Sequence, residues 1–103
     1  KGIISKKEKE YGYHGGEFET SLMLYLFPEL VNLDKLTSYE YSTDLKSKKI
    51  ITLEKNIKKS WLTEEISKSG IIGNPSKSNK DKGKKIVLRV INCIDKIINE
   101  LYT

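Results

Sequence analysis

The stretch Tyr13-His14-Gly15-Gly16-Glu17-Phe18-Glu19-Thr20-Ser21-Leu22-Met23-Leu24-Tyr25-Leu26-Phe27-Pro28 decides how this chain is read. Two adjacent glycines mark a loop, because glycine takes backbone conformations barred to other residues. Beyond them Phe18, Leu22, Tyr25 and Leu26 recur at three- and four-residue steps, which predicts a helix over residues 17–27 that Pro28 ends. Apolar residues crowd every side of its second half, the pattern of a well-buried helix. The loop carries the chain's single histidine, the side chain best suited to proton transfer near neutral pH. Glu17 and Glu19 follow, and carboxylates are hard oxygen ligands for divalent cations. Thr20 and Ser21 add hydroxyls, and the first amides of the helix can hold an anion or a developing oxyanion. Nowhere else in the chain do a base, carboxylates, glycines and a helix start converge. The same residues also fit a plain helix start. Acidic residues in a first turn complement the helix dipole without further duty, and one histidine with two glutamates falls short of a hydrolytic metal site, which takes three or more protein ligands.

Outward from this stretch, the chain has 103 residues, the length of one small domain. Hydrophobic residues make up 37% and charged residues 32%, a globular rather than a disordered balance. No run approaches the length of a membrane span. The net charge is +5, but Arg89 is the only arginine among the 19 basic residues. Lysines interleaved with acids read as a solvated surface, since the planar guanidinium is the better fork for phosphate and base edges. Clusters at Lys46, Lys48, Lys49 and over residues 77–85 keep a basic nucleic-acid-binding domain as an alternative. The lone Cys93 excludes an intrachain disulfide and a cysteine-based zinc cluster, and it reads as a small buried hydrophobe in a reducing, cytoplasmic protein. The chain begins at Lys1 with no signal segment after it, as though numbered from inside a longer protein or after a removed leader.

Residues 1–13 read as a lysine-rich lead, residues 34–60 as polar and irregular around Tyr39 and Tyr41, and residues 50–53 as a short strand. Trp61 reads as a packing residue, with a pocket wall as the lesser reading. Ser69-Gly70-Ile71-Ile72-Gly73-Asn74-Pro75 is a turn, lacking the lysine and spacing of a phosphate loop. Val87, Val90, Ile91, Ile94, Ile97, Ile98 and Leu101 form one stripe, which predicts an amphipathic helix from about Asp81 or Lys84 to Leu101. Such a stripe must pack on a sheet or on other helices.

His14-Gly15-Gly16-Glu17-Phe18-Glu19-Thr20-Ser21, the apolar helix after it and Pro28-Glu29-Leu30-Val31 resemble the C-terminal half of the creatininase family. The shared pattern is His-Gly/Ala-Gly-x-x-Glu-Thr-Ser, then an apolar helix, then Pro-x-Leu-Val. A second match follows in order: the turn at residues 69–76 with Lys82-Gly83-Lys84 resembles that family's Ser-Gly-Val-Ile-Gly-Asp-Pro turn and its last, Lys-Gly-started helix. The resemblance covers roughly residues 12–101 and is weakest over 35–60.

The resemblance implies an α/β fold in which residues 1–103 form part of a creatininase-like α/β/α sandwich, assembled into a homo-oligomer, often a hexamer. It implies a metal-dependent amidohydrolase that cleaves a C–N bond of a small cyclic or linear amide of creatinine or formamide type. A divalent metal pair, Zn, Mn or Fe, would be liganded mostly by residues outside this chain. His14 matches the family's proton shuttle. Glu17 stands where one branch of the family could draw a metal ligand, Glu19 supports the site from behind, and Gly15 and Gly16 border the substrate pocket. The family's Glu-x-His and Asn-Gly-His metal motifs are absent from this single-histidine sequence. Taken alone the chain should therefore be inactive until the N-terminal half of the domain is supplied. Glu10-Tyr11-Gly12-Tyr13 replaces the tryptophan-rich lead of creatininase itself, which puts creatinine in doubt as the substrate. The alternative of a different class is a catalytically inactive remnant that serves as an assembly or binding module. Neither the leading reading nor this one calls for nucleic acid or membrane as a partner.

Overall fold

The structure, a computed structural model, describes residues 2–36 and 60–103 together with the backbone of residues 51–52 and 57–58. Four α-helices carry the described fold: α1 (Lys6–Tyr11), α2 (Glu17–Leu26), α3 (Thr63–Ile66) and α4 (Lys80–Leu101). Short 3-10 turns at Pro28–Leu30, Leu33–Lys35 and Pro75–Lys77 link them.

The lysine-rich lead is not featureless. Ser5 caps α1 by accepting the N–H of Glu8 at 3.2 Å, and Gly12 closes the helix by donating its N–H to the Glu8 carbonyl at 2.7 Å. The serine cap outweighs the lysine run, because it satisfies an amide that a first turn leaves open.

Helix α2 starts at Glu17 as the glycines predict and stops one residue short of the expected end, with Pro28 opening a 3-10 turn. It is less buried than its composition suggests: Phe18, Leu26 and Phe27 are about half exposed. Its inner face is made by Glu17 and Ser21. The reason lies in α4, which starts at Lys80 under an Asn79 cap that accepts the Lys82 N–H at 2.8 Å. Gly83 of α4 lies directly against the Ser21 carbonyl and Tyr25, where a Cβ would overlap both. The first turns of α4 thus meet the middle of α2 backbone to backbone. Small and polar residues occupy that contact, and the bulky ones flank it.

Ile72, Ile86 and Pro75 form the buried apolar centre beside this crossing. The remainder of α4 runs outward. From Leu88 to Leu101 no residue of it is buried, and Val90, Ile94, Ile97 and Ile98 are half exposed. The predicted stripe is present, with no described element over its C-terminal half. Cys93 is accordingly exposed, not buried as its apolar surroundings in sequence suggest.

Strand structure among the described residues is confined to β1 (Ile51–Thr52) paired in parallel with β2 (Ile57–Lys58), and to one antiparallel bridge between His14 and Ile72. β1 falls inside the strand expected over 50–53. The described part is therefore helical, and the sheet layer expected of an α/β/α sandwich is not drawn from it. Tyr39, Tyr41 and the Lys46–Lys48–Lys49 cluster lie outside the described residues.

A candidate active site at the His14 bridge

The two motifs, more than fifty residues apart in sequence, are locked into one another. Tyr13 and His14 both donate their N–H groups to the Ile72 carbonyl, at 2.7 and 3.1 Å, and Ile72 returns its N–H to the His14 carbonyl at 2.8 Å. Farther along, the Ser78 hydroxyl donates to the Glu17 carbonyl at 3.3 Å, and the Asn79 N–H donates to the fully buried Ser21 hydroxyl at 3.3 Å. The turn at 69–75 is thus the second arm of the His14 loop, which explains why Gly70 and Gly73, both at positive φ, flank the bridging isoleucine.

Past His14 the chain turns sharply at Gly15, whose φ of +64° falls in the left-handed region that glycine favours. The Gly15 peptide is gripped on both sides. Its N–H donates to a Glu19 carboxylate oxygen in a short contact, and its carbonyl accepts from the Thr20 hydroxyl at 3.1 Å. The Glu-Thr of the motif therefore fixes the loop that presents the histidine. The His14 ring is 63% exposed, with Nδ1 3.8 Å from the Glu19 carboxylate. That distance is too long for a hydrogen bond.

His14, Gly16, Phe18 and Glu19 line a cavity of about 480 Å³, whose other walls come from the lead and α1, with Ile3, Ile4 and Glu8 among them, and from Ile86 and Arg89 of α4. That volume suits a small ligand, and mostly apolar walls with a few convergent polar groups are usual for such sites. Gly15 shapes the loop but is not among the walls. Trp61 is not among them either. Its ring packs against Tyr13, with centroids 6.3 Å apart, in keeping with a packing residue.

Glu17 stands apart from the cavity. Its side chain is 3% exposed, and Oε1 accepts from Lys82 Nζ at 2.7 Å, a lysine that also donates to the Lys77 carbonyl at 2.6 Å. The carboxylate expected to face a metal is bound to a cation of this chain. Among the described residues no group of three His, Cys, Asp or Glu side chains could hold a metal ion. The described residues do not by themselves make a metal centre.

The roles of three residues in this arrangement escape a reading by motif. Glu8 is buried at the junction of both arms, and the spacing Ser5-Lys6-Lys7-Glu8, a helix-start signature, is the signal that could have found it. Lys82 is the partner of Glu17, 65 positions away, and no local pattern pairs them. Arg89 reads as the polar face of a helix, yet α4 turns it to the cavity.

The chain matches the creatininase family, described as creatinine amidohydrolase, over residues 2–98. It is similar, at 26% identity and a TM-score of 0.59, to the crystal structure of a candidate creatinine amidohydrolase from Bacteroides fragilis NCTC 9343. The match covers 95% of this chain and 39% of that one, so the chain spans well under half the length of its solved relative. No curated protein matches it significantly. The chain belongs to the creatininase family. Among the described residues no helix is long and apolar enough to cross a membrane.

Proposed function

We propose that this chain is the C-terminal part of an amidohydrolase that cleaves the C–N bond of a small cyclic or linear amide, of creatinine or formamide type. The observation that carries the reading is the presentation of His14. An exposed imidazole stands at the rim of a ligand-sized cavity on a loop braced by Glu19, Thr20 and Ile72. Amide cleavage needs a proton delivered to the departing nitrogen, and a solvent-accessible imidazole on a braced backbone is suited to deliver it. Glu19 stands beside Nδ1, at 3.8 Å.

The family's metal dependence enters through residues outside this chain, with Zn, Mn or Fe as the candidate ions and the N-terminal half of the domain as their main holder. For Glu17 to join them it would have to exchange Lys82 for the ion. Metal content measured on Glu17→Ala, in the longest protein that carries this chain, decides that point. Unchanged stoichiometry leaves Glu17 as the anchor of α4. The complete sandwich, its assembly into a homo-oligomer and a cytoplasmic setting belong to the same proposal.

The test is release of ammonia or amine from a panel of small amides, assayed on the chain alone and on the longest reading frame containing it. Turnover confined to the longer protein, and lowered at least a hundredfold in His14→Asn, is the expected result; general acid–base groups contribute about that much or more. Full activity in His14→Asn overturns the role given to His14.

A further inference from the structure

Glu8 is 3% exposed, and the chemistry proposed for His14 does not use it. Its Oε1 accepts the Glu17 N–H at 2.7 Å, and its Oε2 accepts the Asn74 N–H at 3.0 Å. Glu17 lies three residues past His14, and Asn74 two residues past Ile72. One carboxylate therefore grips both arms of the His14–Ile72 bridge just beyond the bridging pair. The backbone closes around it. A Cβ on Gly12 or Gly73 would stand only 2.5 or 2.6 Å from Oε1, and one on Gly16 would come closer still. Three main chains meet here with room for two carboxylate oxygens and no further side chain. The acid also completes the start of α2, where an anion satisfies an open amide and complements the helix dipole.

We propose that Glu8 is the positioning residue of the His14 site: its carboxylate clamps the start of α2 to the turn after Ile72 and so sets where the imidazole stands at the cavity. The catalytic meaning of that placement rests on the amidohydrolase reading; the clamp itself does not.

Glu8→Gln is the sharpest probe. It keeps the size but sets an amide NH2 donor where Oε2 accepts the Asn74 N–H, leaving that arm only the longer 3.3 Å bond to Oε1. The measurement is amide hydrogen exchange by NMR on the 103-residue chain, with helix content followed by circular dichroism. Glu8→Gln should exchange at least tenfold faster at Ile72 and Asn74 and move the His14 ring resonances. Amides in the middle of α4 should keep their rates. Unchanged exchange at Ile72 and Asn74, or an equal loss throughout α4, overturns the clamp, the second by making Glu8 a general stabiliser. Glu8→Ala covers the case in which Glu8→Gln does not fold. Formate fits the emptied glycine cradle and should restore protection at Asn74, or folding itself, where neutral formamide does not. Failure of formate to do either counts against the proposal. In the longer protein, Glu8→Gln should lower kcat with little change in KM. The exchange result needs no turnover, so it stands or falls separately from the enzymatic reading.

Discussion

Burial, rather than residue type, decides what each glutamate near His14 does. Glu19 is half exposed and braces a loop; Glu17 is enclosed and holds a lysine. A buried carboxylate without its cation is costly, and removing one partner of such a pair loses about 3–5 kcal/mol. Lys82→Met should therefore destabilise the chain by roughly 3 kcal/mol in denaturant unfolding, a lower value because Lys82 is itself a quarter exposed. The double variant Lys82→Met with Glu17→Met should lose less than Lys82→Met alone, since no charge is stranded. A single variant as stable as the parent would mean that the carboxylate reaches water or another cation. The same comparison separates two roles that sequence cannot: a ligand poised for metal tolerates loss of Lys82, and a structural anchor does not.

The two long helices show why contact geometry overrides composition. Helix α2 is apolar on most sides, but its close contact with α4 is set by Gly83 against the Ser21 carbonyl. Gly83→Ala would gain about 1 kcal/mol of helix propensity. It would also push a methyl group into backbone that cannot rotate away, an overpacking cost of about 1–3 kcal/mol or more. The second effect wins, and a net loss on the order of 1–2 kcal/mol is expected in thermal unfolding. A stabilised Gly83→Ala would mean that the helices can part at little cost. At the start of α4, Asp81 is held below the ordinary carboxylate range, first by its hydrogen bond to Lys85 and then by that lysine's charge, at 2.9 Å. A depressed pKa in the folded state stabilises at pH values above the unfolded pKa, and the gain is lost as pH falls through the folded one. Asp81→Asn should therefore lower the melting temperature slightly at neutral pH. The difference should shrink with added salt, as for any exposed pair, and vanish in strong acid.

Across the whole molecule, what was legible in sequence follows from how far apart the cooperating residues lie. The span of α4, the start of α2 and the turn around Ile72 are local matters of period, caps and glycines, and the chain builds them nearly as read. The meeting of the His14 loop with the turn at 69–75 was accessible only through the family's ordered motifs. The Glu8 clamp and the Glu17–Lys82 pair were not legible, because each depends on backbone brought together from distant segments. The burial of α2 and of Cys93 was misjudged for a related reason: apolar content states a need for cover without supplying the cover. That need is plainest on α4, where Ile94 and Ile98, with Val90, Ile97 and Leu101, leave an apolar strip half exposed or more on a helix about 33 Å long. Contiguous apolar surface of this kind marks a face that is covered in a working assembly. The isolated chain should accordingly bind a hydrophobic dye such as ANS. Ile94→Lys with Ile98→Lys should remove most of that binding and leave helix content unchanged, because both side chains are half exposed. Dye binding that survives the double substitution would locate the exposed apolar surface elsewhere, and a loss of helix content would mean that the strip is already packed within this chain.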